Sequence, residues 1–140
     1  MRTAHSILIA IVFTSCAHTT TLSPDAFRKN RGLFEKASGD IRIGRIEARQ
    51  DTHEYVFALA EQRAKANDPS GRGVRIFVPP QFQKRYENEL KDLPVTCTLG
   101  PNLSLMQFAA EFPVFADWLL CPWTADSLAI VPRDAFVQDD

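Results

Sequence analysis

The sequence predicts a single small domain of the α/β or α+β class, with a mixed sheet of about five strands and about three helices. Strand-like and helix-like segments follow one another in the order β, α, β, α, β, α, β, β, which favours a sheet with helices packed on it. The last two apolar runs have no helix between them, which predicts an antiparallel strand pair at the C-terminal end. Hydrophobic residues make up 45% of the chain, which is typical of a packed core.

The first predicted strand and helix are adjacent in the sequence. Residues 41–48 alternate between apolar and polar side chains, and the alternation changes phase at Gly44, which indicates a strand with a β-bulge. A capping-box spacing begins at Asp51, and residues 55–66 combine helical periodicity with strong helix formers, so we expect a helix there. The alternative is a β-hairpin with residues 55–59 as its second strand, because these residue types favour strands.

The second half of the predicted domain contains four strands and two helices. The strands are expected at residues 74–78, 95–99, 118–121 and 127–131, and the helices at residues 81–90 and 103–112. Phe82, Tyr86 and Leu90 form one stripe of the first of these helices, and we expect them to be buried. The turn signal at residues 100–102 makes Asn102 the expected N-cap of the second helix.

The N-terminal segment has the features of an export signal. Arg2 precedes an apolar run at residues 7–13, which is far too short to span a bilayer, and small residues lead into Cys16. This arrangement resembles the lipobox of bacterial lipoproteins, although Phe13 stands where leucine is usual. The resemblance implies that residues 1–15 are removed and that Cys16 carries a diacylglycerol on sulfur and an acyl chain, such as palmitate, on its amine. The alternative is an ordinary secretory signal cleaved after Ala17, which would release a soluble periplasmic or secreted protein.

The lipoprotein resemblance also implies a location and a domain organisation. Ala17 follows the cysteine, and by resemblance the absence of an aspartate there points to the outer membrane, with the domain facing the periplasm. Residues 16–31 are expected to form the lipidated cysteine and a flexible tether, because residues 17–31 are largely polar and show no apolar period. The globular domain is then expected at residues 32–137, followed by an acidic tail at residues 138–140.

The two remaining cysteines are predicted to form a structural disulfide. If Cys16 is lipidated, Cys97 and Cys121 are left as an even pair in an oxidising compartment. They are not spaced as a Cys-x-x-Cys redox motif, and a zinc site needs about four ligands. We therefore expect neither a metal nor a cofactor. The formal net charge of −1, without a basic stripe, argues against a nucleic-acid partner.

Three other groups of residues resemble chemical sites, but each has a simpler structural explanation. His53 is the only histidine of the expected domain and lies between acidic residues, but the first turn of a helix explains its position more simply than catalysis does. Gly71-Arg72-Gly73 with Arg75 lacks the lysine of a phosphate-binding loop, and we interpret it as a flexible turn before a strand. The alternating charges between Lys84 and Asp92 indicate a solvated helix face.

Aromatic residues near the C-terminal end are the best candidates for a partner surface. Phe115, Trp118 and Trp123 belong to the densest aromatic region of the chain, and tryptophan is favoured at protein–protein interfaces. We therefore expect a lipid-anchored, non-catalytic binding or accessory module of the cell envelope with a protein partner. The alternatives are a structural subunit of an envelope or secretion complex and a soluble inhibitor or immunity-type protein; an envelope hydrolase is the least favoured.

Overall fold

The computed structural model describes residues 23–114 and 117–135, which form four α-helices and five β-strands. The helices are α1 (Pro24–Ala37), α2 (His53–Asn67), α3 (Gln83–Glu89) and α4 (Leu105–Glu111). The strands are β1 (Arg42–Thr52), β2 (Arg75–Phe77), β3 (Pro94–Ser104), β4 (Trp118–Thr124) and β5 (Ser127–Pro132). Two short 3₁₀ helices, Pro80–Phe82 and Arg133–Ala135, precede α3 and follow β5. The mixed α+β class and the antiparallel C-terminal pair are confirmed.

The five strands form two sheets, and not the single mixed sheet that the sequence suggested. β1 pairs with β3 in one antiparallel sheet, and β2, β5 and β4 form the other in that order, with β2 parallel to β5. Side chains of α2 bind backbone groups of both β1 and β2: Arg63 donates to the Ile43 carbonyl oxygen at 3.2 Å, and Glu61 accepts from the Ile76 N–H at 2.6 Å. These bonds satisfy backbone groups that strand pairing would otherwise use.

The bulge predicted in β1 is present and has a glycine on each strand. The β1–β3 register shifts on both sides of Gly44, which has a φ of +72°. On β3, Gly100 has a φ of +119°, and a Cβ atom there would lie 2.9 Å from the Cα of Arg45. Only glycine permits this approach at such a backbone angle. Residues 100–102, where the sequence indicated a turn, instead belong to β3.

The folded part of the chain begins earlier than the sequence indicated. Residues 24–31, which were assigned to the tether, lie in α1, where the Ser23 hydroxyl accepts from the Ala26 N–H at 3.1 Å. Serine as N-cap followed by proline is a strong helix start. Phe34 is fully buried and Phe27 half-buried, seven residues apart on one face of the helix. The boundary at residue 32 was therefore wrong, because Phe27 is the only large apolar residue of residues 24–31 and a single residue gives no periodicity.

Two helix caps differ from the expected residues. Thr52, and not Asp51, caps α2 by accepting from the Tyr55 N–H at 3.1 Å. Ser104, and not Asn102, caps α4 and forms a reciprocal capping box with Gln107. The helix over residues 55–66 is confirmed, which excludes the hairpin alternative. The expected stripe at residues 82, 86 and 90 is buried, as predicted.

Candidate functional site

The predicted disulfide is absent, and the two cysteines lie on different sheets. Cys97 is half-buried on β3 and is paired in register with Ala48, whereas Cys121 is buried on β4 and is paired with Ala129. Both thiols are free. Burial raises the pKa of both, and raises that of Cys121 to about 12, so neither thiol has the thiolate character of a reactive cysteine. Cys16, the predicted lipidation residue, lies outside the described residues.

Of the three aromatic residues predicted for the partner surface, the structure leaves Trp123 accessible, buries Trp118 and does not describe Phe115. Trp118 is only 2% exposed, and its indole N–H donates to Glu89 Oε1 at 3.1 Å, so its assignment to a partner surface was wrong. Its ring packs edge-on against Tyr86, and the Arg85 guanidinium lies 5.7 Å from the ring centre. Trp118 was misassigned because the neighbours that bury it come from α3, far away in the sequence.

Trp123 is half-exposed because a β-bulge presents it. On either side of it, Pro122 pairs with Leu128 and Thr124 pairs with Ser127, so Trp123 is the extra residue between two consecutive partners on β5. A bulge of this kind changes the direction in which a side chain projects from a sheet. The indole ring lies edge-on to Phe77 of β2, with 6.5 Å between ring centres. The aromatic contact thus spans the sheet, because β5 lies between β4 and β2.

A shallow depression of about 300 Å³ surrounds this aromatic pair. We call it the Trp123 pocket; it is lined by the cationic and aromatic side chains of Arg72, Arg75, Phe77 and Trp123 and by the polar side chains of Thr124, Asp126 and Ser127. The Arg75 guanidinium lies 4.4 Å from the centre of the Phe77 ring, which is a cation–π contact. The pocket therefore combines two cationic side chains with two aromatic ones on an accessible surface.

Arg72, Arg75 and Phe77 were not assigned to a site from the sequence. The turn that carries Arg72 is ordered by Asp68, whose carboxylate accepts from the Gly73 N–H at 2.8 Å and the Ser70 N–H at 2.9 Å. These hydrogen bonds, the one from Gly73 foremost, lower the pKa of Asp68 and keep it charged. The available signal was the alternation in Arg-Ile-Phe, which places positions 75 and 77 on the same face of a strand.

His53 is buried among aromatic rings and does not reach the Trp123 pocket. Its side chain is 0% exposed, and its ring lies 6.0 Å from that of Phe57 and 5.9 Å from that of Phe112. Neither ring nitrogen has a hydrogen-bond partner of good geometry among the described residues. Burial lowers the pKa of His53, and a weaker interaction with the Leu93 backbone opposes this shift. The ring is thus a neutral part of the core.

A second depression, of about 280 Å³, lies between α2, β2 and α3 and includes Glu54, Glu61 and Tyr86. Glu61 already accepts the Ile76 N–H, and burial raises the pKa of Tyr86 to about 12. The hydrogen bond of Glu61 and the burial of Tyr86 give both side chains a structural role. The described residues contain no group of three or more histidine, cysteine, aspartate or glutamate side chains arranged to hold a metal ion.

None of the helices within residues 23–114 and 117–135 has the length and apolar character needed to cross a membrane.

Comparisons with known proteins do not add to this picture. No protein-family model, no curated protein and no solved structure matches the chain.

Proposed function

We propose that this protein is a lipid-anchored accessory module of the bacterial cell envelope, which binds another protein through the Trp123 pocket without chemical turnover. The observation that carries the proposal is the bulge at Trp123, which holds a half-exposed indole against Phe77 and Arg75. Tryptophan and arginine are the residue types most enriched among those that dominate binding energy at protein interfaces. The location at the cell envelope rests on the resemblance of the segment before Cys16 to a lipoprotein signal.

Side chains of α2 bind the outer edges of β1 and β2, which disfavours assembly of a subunit through these two strands. β2 has only three residues, and its Ile76 N–H is already bound by Glu61. Asn67 of α2 similarly donates to the Arg42 carbonyl oxygen of β1 at 2.7 Å. Strand addition from a second copy would have to break these side-chain bonds.

Two experiments test the two parts of this proposal separately. For the anchor, Cys16→Ala should abolish fatty-acid labelling of the protein and its processing as a lipoprotein. Unchanged labelling would show that Cys16 is not the attachment point. This measurement does not depend on the Trp123 pocket.

For the partner, the full chain and its Trp123→Ala variant are used as bait for solubilised cell envelope, with Arg49→Gln as a matched surface control on β1. We expect one stoichiometric partner with the wild type and the control, and its loss with Trp123→Ala. The same partner recovered by all three baits, or turnover of an envelope substrate by the purified protein without any partner, would refute the proposal.

A further inference from the structure

The Trp123 pocket contains an arginine that is held in place but whose hydrogen-bond donors are available. Arg75 is exposed, and its guanidinium stacks on Phe77 at 4.4 Å. Within the described residues, its side chain forms no ion pair. Stacking uses the face of the planar guanidinium and leaves its N–H edge open, which is the edge that binds a carboxylate through two parallel hydrogen bonds.

A second cation lines the same pocket. Arg72 is exposed, and its Nε atom is 3.4 Å from the Ser70 hydroxyl oxygen. The turn around it is fixed by the Asp68 carboxylate. Ordering of the turn lowers the conformational entropy that Arg72 would lose on binding a ligand. The pocket therefore offers two guanidinium groups to an anion.

The charge of the pocket selects the kind of anion. Asp126 on the rim accepts from the Thr124 hydroxyl at 3.1 Å and sets one negative charge against the two positive ones. A net charge of +1 suits a carboxylate better than a phosphate dianion or a polyanion. The half-exposed rings of Phe77 and Trp123 offer an apolar contact beside the cations.

We propose that the Trp123 pocket binds an acidic segment of a partner protein, with a carboxylate on Arg75 and Arg72 and an adjacent aromatic or aliphatic side chain on Trp123 and Phe77. This inference rests on the proposed function, because it names the chemistry of the partner that the pocket recognises. It makes Arg72 and Arg75 specificity-determining residues of the binding surface.

The experiment follows the indole N–H signals of the ¹⁵N-labelled full chain by NMR. The chain has two tryptophans, so the buried indole of Trp118 is an internal control for that of Trp123, and Trp123→Phe assigns the two signals. The probe is an end-capped peptide in which aspartate alternates with leucine and phenylalanine. Its matched control has asparagine in place of each aspartate, and vesicles of phosphatidylglycerol represent an anionic lipid surface.

The acidic peptide should shift the Trp123 signal in a saturable manner and leave the Trp118 signal in place. Arg75→Gln should weaken this binding about tenfold or more, and Arg49→Gln should not change it. Equal shifts with the asparagine peptide, a response to the vesicles alone, or no shift with any probe would overturn the inference. If Trp123→Ala still abolishes capture of the envelope partner in that case, the proposed function stands and only the partner chemistry is wrong.

Discussion

Replacement of His53 by leucine should make the protein more stable. The side chain is fully buried, and neither ring nitrogen has a hydrogen-bond partner of good geometry among the described residues. An unsatisfied buried polar atom costs about 1–3 kcal/mol, so two such atoms cost several. The ring contacts to Phe57 and Phe112 that leucine gives up are each worth about 0.5–1.5 kcal/mol. We therefore expect His53→Leu to raise the free energy of unfolding by about 2 kcal/mol at pH 7.5.

The same substitution should remove part of the acid sensitivity of the fold. Burial holds the pKa of His53 in the folded state below its ordinary value of 6.5. As the pH falls below 6.5, the unfolded chain takes up a proton that the folded chain excludes, so the free energy of unfolding decreases. The loss approaches about 1.4 kcal/mol per pH unit until the lowered pKa of the folded state is reached. Between pH 7.5 and 5.5 the wild type should therefore lose up to about 1.3 kcal/mol more than His53→Leu.

The assay is urea denaturation of both proteins at pH 7.5 and 5.5, followed by tryptophan fluorescence. Phe57→Leu is the control, because it disturbs the same aromatic cluster but leaves His53 to titrate. It should lower stability by about 1 kcal/mol at both pH values and keep the pH dependence of the wild type. A His53→Leu variant that is less stable than the wild type at pH 7.5, or equally sensitive to acid, would refute the reasoning.

Three further predictions concern α1, the cysteines and Trp118. Ser23→Ala should lower the free energy of unfolding by about 1 kcal/mol in urea denaturation, and an unchanged midpoint would mean that α1 does not contribute to the fold. Cys97 and Cys121 should both be alkylated in urea without reductant and react slowly in the native state, as measured by mass; protection in urea would instead indicate a bridge. Trp118→Phe removes the indole hydrogen bond to Glu89 and should destabilise the protein by about 1 kcal/mol in thermal denaturation, whereas unaltered stability would contradict the contact.

Local sequence patterns predicted most of the secondary structure. The phase change at Gly44, the buried stripe at residues 82–90 and the antiparallel C-terminal strands all follow from short-range periodicity. The errors in the helix caps were choices between nearby residues that can both act as an N-cap, Thr52 in place of Asp51 and Ser104 in place of Asn102. Such choices depend on where the backbone enters the helix, which the sequence pattern does not fix.

The arrangement of the sheets and the pocket could not be predicted in the same way. The separation into two sheets depends on bonds between α2 side chains and strands 15–20 residues away in the sequence, such as Glu61 to Ile76 and Arg63 to Ile43. The Trp123 pocket combines a bulge on β4 with two residues of β2, which are about fifty positions apart in the chain. Only the pairing of both strands with β5 brings them together.

The proposed function requires that the Trp123 pocket contact a protein partner at the cell envelope. The most direct measurement is photocross-linking in cells with benzoylphenylalanine in place of Trp123, compared with the same group in place of Arg49 on β1. We expect one discrete cross-linked product from position 123, which disappears when Arg75→Gln is added, and none from position 49. The same products from both positions, or none from position 123, would contradict the claim.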